Sequence, residues 1–238
     1  MTLLAIDTSG AYASVALYDG RAVLAEETWY AQRRHDDQLF AAVERVLLLA
    51  GAEIGAVTRI AVARGPGSFT GLRVGIAAAQ GLARAAGALV VGVCTLDAIA
   101  HPFAIGRTRV CAIVPAGRGE VYAALYRRRE GRWSRVTPIQ TAAPRDLARA
   151  VATATVFAGD IDEAMASELR EAFGGRALVA PPSARARRAG DLAEVAWARA
   201  EAGEAIAPEA LEPLYIRPPL SRDPKGASER PAPPARAS

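Results

Sequence analysis

Residues that build metal centres and disulfide scaffolds are scarce in this sequence. Its 238 residues include two cysteines, Cys94 and Cys111, and two histidines, His35 and His101. Neither pair has the spacing of a zinc site, and a disulfide framework needs more than two cysteines. Both cysteines lie in apolar segments, where a thiol packs as a small hydrophobic group. The sequence therefore predicts no metal site of its own and a reducing, cytoplasmic compartment.

Long apolar runs are also missing. No segment approaches the roughly 18 apolar residues that a membrane-spanning helix needs. The first residues, MTLLAIDTSG, lack the basic region and the cleavage site of a signal peptide. Hydrophobic residues make up 51% of the chain and charged residues 23%, which is a globular composition. We expect a globular cytoplasmic protein with no membrane association.

Lysine is nearly absent, because only Lys225 among the 29 basic residues is a lysine. The net charge of +4 is unevenly distributed: residues 1–103 carry −1, residues 104–217 carry +3 and residues 218–238 carry +2. This excess is too small to predict a nucleic-acid-binding protein by itself. We interpret the run Arg127–Arg129 as the solvated end of a hairpin, and direct tRNA binding by the second half stays open.

The order of predicted elements occurs twice. Short apolar runs, turns and helical periodicities predict β-β-β-α-β-α-β, and a similar series begins after His101–Arg107. Two such units predict an α/β fold with two tandem ribonuclease-H/actin-like (ASKHA-type) lobes, each a mixed sheet with flanking helices. The predicted lobes are residues 1–103 and 104–217, and a last helix can pack back on the first lobe. Residues 218–238, rich in proline and charge, predict a disordered tail.

Two loops carry polar groups that suit an anion or a nucleotide. Carboxylate, hydroxyl and backbone N–H groups there could hold magnesium and phosphate. The alternative is local geometry, in which these residues make turns and cap a helix. The second loop is not a P-loop, because no Lys-Ser/Thr follows its glycines. The candidate residues are Asp7, Thr8 and Ser9 after the first strand, and Gly65, Gly67, Ser68 and Thr70 in the second loop.

Two predicted helices, at 37–50 and 70–86, have more apolar or small positions than one packing stripe requires. We therefore predict that they form a partner interface, with a cover from the second lobe as the alternative. The predicted interface residues are Leu39, Phe40, Val43, Val46 and Leu47 in the first helix, and Gly71, Val74, Gly75, Ala78 and Leu82 in the second.

The string RGPGSFTGLRVG, preceded by AIDTS and followed by GVCTLDAIA, closely resembles the TsaB (YeaZ) family. Arg34-His35 followed by Leu39, the strand Gly117–Tyr122 and the segment Pro213–Arg217 extend the resemblance over nearly the whole chain. It implies a non-catalytic paralogue of the TsaD catalytic subunit. The resemblance implies that this paralogue acts in the complex that makes N6-threonylcarbamoyladenosine at position 37 of tRNA.

The resemblance also implies partners and cofactors. The partners are a TsaD-type catalytic subunit, a TsaE-type ATPase and, through the complex, tRNA, with a homodimer through the same surface left open. ATP or ADP, magnesium and the catalytic metal are expected only in the partner subunits or at their interface.

Two departures from the catalytic relatives weigh against independent activity. TsaD-type proteins hold metal through a His-x-x-x-His pair, and Leu39 stands where the second histidine would be. The segment Val114–Gly117 lacks the aspartate that an actin-like kinase needs for its magnesium. An independent ATPase or small-molecule kinase that uses Asp7, Thr8 and Gly65–Gly67 stays open as an alternative. A peptidase is the other alternative, although no catalytic constellation supports it.

Overall fold

The computed structural model describes residues 1–31 and 35–216, without the side chains of 35–37 and 148–150. Several positions of the sequence analysis lie outside this description: Arg34, the side chain of His35, Arg217 and the tail predicted at 218–238.

The first sheet is a meander extended by two parallel strands. Its strand order is β3-β2-β1-β4-β5, with β1 to β3 antiparallel and with β4 and β5 parallel to β1. The strands are β1 (Thr2–Asp7), β2 (Tyr12–Tyr18), β3 (Val23–Tyr30), β4 (Val57–Gly65) and β5 (Leu89–Cys94). The helices of this half are α1 (His35–Leu49), α2 (Phe69–Ala86) and α3 (Thr95–Ala100).

The second sheet repeats this topology. Its main order is β11-β10-β6-β7-β8, again a meander followed by two parallel strands, and β9 pairs with β7. The predicted duplication and the two-lobed α/β fold are confirmed. The strands are β6 (Arg109–Gly117), β7 (Glu120–Arg129), β8 (Arg132–Arg135), β9 (Gln140–Ala142), β10 (Thr155–Gly159) and β11 (Ala177–Val179). The helices are α4 (Glu163–Phe173) and α5 (Ala189–Glu201).

Helix α5 returns to the first sheet. The inner face of α5 is alanine-rich, so the helix lies close to the strands. Leu192 and Ala196 of α5 are buried with Leu3 and Ala5 of β1 in one hydrophobic cluster. Helices α1 and α2 cover the opposite face of the same sheet. The first sheet is therefore a middle layer between helices from both halves of the chain.

Asp97 on α3 joins the two lobes. Its carboxylate accepts hydrogen bonds from the Tyr126 hydroxyl of β7 at 2.6 Å and from Arg199 of α5 at 2.5 Å. Arg135 of β8 lies 3.8 Å from the same carboxylate. Since the donors come from the second sheet and from the returning helix, one acid ties three segments together.

Cys94 and Cys111 are buried free thiols, and burial raises the pKa of Cys111 to about 12. Within 1–31 and 35–216, no helix combines the length and the apolarity that a bilayer crossing requires.

Candidate functional site

A cavity of about 760 Å³ lies between the lobes, at the carboxyl ends of β1 and β10. This is the edge at which open α/β sheets usually bind ligands. The first lobe contributes Ser9, Gly10, Gly67 and Ser68 to its wall, and the second contributes Val114, Pro115, Asp160 and Asp162. The structure thus brings the two predicted loops together at one cleft.

The polar groups of the first loop are already engaged within the chain. The buried Asp7 carboxylate accepts hydrogen bonds from the Ser9 backbone N–H at 2.8 Å and from the Ser9 hydroxyl at 2.6 Å. The Ser9 carbonyl accepts from the backbone N–H of Ser68 at 2.8 Å. These contacts support the turn interpretation, because they satisfy the polar groups locally.

The glycines of the second loop allow α2 to lie directly against the end of β1. A Cβ at Gly67 would collide with Ser9, and one at Gly71 or Gly75 would collide with Thr8. The Thr8 hydroxyl donates to the Gly71 carbonyl at 2.6 Å. Gly71 and Gly75 are four residues apart and share one helix face, which is made of glycine because it lies directly against Thr8.

The other loop residues have structural roles or face solvent. Ser68 caps α2, since its hydroxyl accepts from the Gly71 N–H at 3.3 Å. Gly65 has a φ of +121° and lies against the Leu214 carbonyl, where a Cβ would be 2.7 Å away. Thr70 is exposed. Local geometry, the alternative to an anion or nucleotide site, therefore explains most of the second loop.

A buried arginine lies between the carboxylates that face each other across the cleft. The Nε of Arg187 is 3.6 Å from Asp7, and its Nη2 is 3.5 Å from Asp160. The Arg187 side chain is only 5% exposed, and none of its guanidinium nitrogens has a hydrogen-bond partner among the described residues. Gly10 leaves room for it, because a Cβ there would overlap the guanidinium. One cation is thus shared by two acids from opposite lobes.

Burial and charge set the protonation of this trio. Burial raises the pKa of Asp160; the Arg187 guanidinium opposes that rise and Asp7 adds to it. Burial acts to lower the pKa of Arg187, but Asp160 and Asp7 together raise it. Arg187 therefore stays charged, and a magnesium–phosphate complex would have to compete with it for both carboxylates.

Most residues of the predicted partner interface do not lie on the surface. The chain's own core buries Leu39, Val43, Val46 and Leu47 of α1 and Gly71, Gly75 and Ala78 of α2. The apolar surplus has two physical causes. α1 packs on both the sheet and α2, and Gly71 and Gly75 of α2 pack on Thr8. The covering layer is mainly the first lobe itself, and Leu211 from the end of the second lobe packs in the same cluster.

Exposed apolar groups do remain on the outer sides of α1 and α2. Phe40 is 54% exposed, Leu48 is 79% exposed and Leu49 is 74% exposed. On α2, Ala77 and Gly81 are exposed, and the predicted Val74 and Leu82 are half-buried. We call these seven residues the outer helix face; of the ten predicted residues it retains Phe40, Val74 and Leu82.

Comparison with known proteins identifies the family. The model of the family "TsaD: tRNA N6-adenosine threonylcarbamoyltransferase" matches residues 29–224. The structure of YeaZ from Pseudomonas aeruginosa is 31% identical with a TM-score of 0.75, and the alignment covers 90% of this chain and 100% of that one. The chain belongs to the TsaB (YeaZ) family. A second Pseudomonas aeruginosa structure, an uncharacterized protein with similarity to peptidase YEAZ, gives 31% identity and a TM-score of 0.78 over 91% and 99% of the two chains.

Curated TsaB proteins match over a shorter span. The tRNA threonylcarbamoyladenosine biosynthesis protein TsaB of Escherichia coli (strain K12) is 41% identical over 56% of this chain and 58% of its own length. The Bacillus subtilis (strain 168) protein of the same name is 34% identical over 59% and 61%. The chain thus spans about 60% of the length of these relatives. The ethanolamine utilization protein EutJ, 14% identical with a TM-score of 0.52, shares the fold alone.

Asp160 and Arg187 are functional residues that the sequence did not predict. Asp160 had a visible signal, because TVFAGD ends an apolar strand with an acid as LLAID does. Arg187 had none, since it stands in an arginine-rich segment and its contacts join positions far apart in sequence. Among the described residues, no three His, Cys, Asp or Glu side chains form a group suited to a metal ion.

Proposed function

We propose that this chain is a non-catalytic subunit of the complex that forms N6-threonylcarbamoyladenosine at position 37 of tRNA. It pairs with a TsaD-type transferase, holds that subunit in an active conformation and helps to recruit a TsaE-type ATPase. ATP or ADP, magnesium and the catalytic metal are held by the partner subunits or at their interface. The compartment is the cytoplasm. Membership of the TsaB family supports the pathway.

The outer helix face is the observation that carries this proposal. Phe40, Leu48 and Leu49 are large apolar side chains, each more than half exposed, on one surface helix. On α2, the small residues Ala77 and Gly81 let another helix approach closely, since a Cβ at Gly81 would have no neighbour within 4 Å. Large apolar side chains that a surface helix leaves exposed are a common feature of interfaces between proteins. A two-fold homodimer through the same face would compete with the transferase.

The cleft supports a role without catalysis. In an actin-like kinase, carboxylates at this position would face magnesium, whereas here Arg187 lies between Asp7 and Asp160. Apart from the exposed Thr70, the other polar side chains of the two loops are bound within the chain. The alternative of an independent ATPase or kinase rests on the 760 Å³ cavity. Magnesium-dependent ATP turnover by the isolated chain, abolished by Asp7→Ala, would favour that alternative.

Co-purification with a TsaD-type subunit tests the pairing. We expect Leu48→Asp and Gly81→Arg to abolish co-purification, because each puts a charge on a surface that the partner desolvates. Ile105→Asp is the matched control, since Ile105 is 93% exposed and lies outside these helices. Far-UV circular dichroism would establish that each variant is folded. Undiminished pairing of both folded helix variants would exclude the outer helix face as the interface.

A further inference from the structure

The β7–β8 hairpin separates its arginines onto two faces of the second sheet. Side chains alternate along a strand, so Arg127 and Arg129 point away from Arg128. Across the hairpin, Arg129 pairs with Arg132 and Arg127 pairs with Ser134. Val110 of β6 pairs with Tyr126, which places Arg109 beside Arg127. We call Arg109, Arg127, Arg129 and Arg132 the arginine edge.

No carboxylate within the described part of the chain neutralises the arginine edge. Within the described residues, its four guanidiniums form no ion pair, although nine other ion pairs are present. Arg129 and Arg132 are exposed and stand directly opposite each other. Like charges in that arrangement destabilise a sheet, so a hairpin that keeps them without a counter-charge suits an anionic ligand.

On the opposite face of the same hairpin, the arginines make contacts within the chain. Arg128 donates to the backbone carbonyls of Gly131 and Ala104 at 2.7 and 2.5 Å. Arg135 lies 3.8 Å from Asp97. These two arginines brace the hairpin and the lobes. The members of the arginine edge make no such contacts, and the Nε of Arg127 is buried without a partner.

We propose that the arginine edge binds the phosphate backbone of RNA. This inference rests on the proposed function, which brings tRNA to the complex. A row of guanidiniums on adjacent strands matches the repeated phosphates of a nucleic acid, because each guanidinium presents paired donors to phosphate oxygens. The contact reads the backbone and not the bases, since Trp133 is stacked on Tyr126 on the other face and offers no platform for a base.

RNA suits this surface better than a membrane does. An interfacial membrane site needs apolar side chains that enter the lipid beside its basic residues. Between the arginines of the edge, the outward position of β8 is Ser134. Binding carried by phosphate contacts alone should also be strongly dependent on salt, with a slope of log K against log salt of about −0.7 to −0.9 per contact.

The test measures binding of a fluorescently labelled tRNA transcript to the full chain by anisotropy over a salt series. The double variant Arg129→Glu/Arg132→Glu should weaken binding by about tenfold or more and reduce the salt slope by about two. The control is Arg21→Glu/Arg145→Glu, which makes the same charge change at exposed sites. Arg145 follows β9, whose last residue Ala142 pairs with Val121 of β7, and Val121 is eight residues, or about 26 Å, along the strand from Arg129.

Equal tRNA affinity of the two double variants would overturn the proposal. So would a wild-type chain that binds phosphatidylserine vesicles and not tRNA. Co-purification with the TsaD-type subunit, measured in parallel, should be the same for both double variants. Loss of tRNA binding with pairing intact supports the arginine edge. If the wild-type chain does not pair with the TsaD-type subunit, only the proposed function is contradicted, because the tRNA affinity of the isolated chain is measured independently of that pairing.

Discussion

The Thr8 hydroxyl donates to the Gly71 carbonyl at 2.6 Å, at a point where α2 touches the end of β1. That contact requires a residue without a Cβ at position 71, although glycine is a poor helix former. The glycines of the family's diagnostic string therefore have a packing role: they set the distance between the helix and the first strand.

Replacement of Gly71 by alanine should destabilise the chain, although alanine favours helices. The Cβ would collide with the Thr8 carbonyl, and overpacking of this kind costs about 1–3 kcal/mol. Gly81→Ala is the control in the same helix: its Cβ meets open space, so it should stabilise by up to about 1 kcal/mol. Urea denaturation of both variants measures the difference, and equal signs would contradict the packing role.

Arg187→Met should strongly destabilise the chain because it leaves Asp7 and Asp160 facing each other without a cation. Removing one partner of a buried ionic group costs about 3–5 kcal/mol. The double variant Arg187→Met/Asp160→Asn should recover part of that loss, since one carboxylate is then neutral. The free energy of unfolding in urea gives both values, and a double variant no more stable than the single one would argue against the shared cation.

Asp191→Asn should change the dependence of stability on pH. Burial raises the pKa of Asp191 to about 6; His101 and Arg188 oppose the rise, and Glu26 and Glu194 add to it. The folded chain thus holds this proton more tightly than the unfolded chain does, and stability decreases as the pH rises from about 4 to about 6.

The asparagine variant should lose that decrease and be more stable than the wild type at pH 7.5. Allowing for the partial exposure of Asp191, we expect a gain of about 1 kcal/mol. Melting curves at pH 4.5 and 7.5 provide the measurement. An identical pH profile for the two proteins would contradict the raised pKa.

The sequence was sufficient for the fold because local signals determine element order. Apolar strands, the turn at Gly20 and the stop of α2 at Gly87 are visible in the sequence, and duplication of the order indicates two lobes. The interface residues were not predictable in the same way. An apolar helix position looks the same whether its cover is the chain's own sheet or another protein, so only the packing distinguishes Leu39 from Phe40.

The charged residues of the cleft were also only partly predictable from the sequence. Asp7 stood out because it follows a strand, but its partner Arg187 is 180 positions further along the chain and resembles the arginines around it. Long-range ion pairs leave no periodic trace in a sequence.

The return of α5 to the first sheet has a consequence for synthesis on the ribosome. One side of β1, including Leu3 and Ala5, gains its helical cover only when residues 189–201 have been translated. The amino-terminal lobe cannot finish folding while the rest of the chain is still being made. A nascent chain must keep that sheet open until its last helix arrives, and a gene cut at the boundary between the lobes would yield a first half with a bare hydrophobic side.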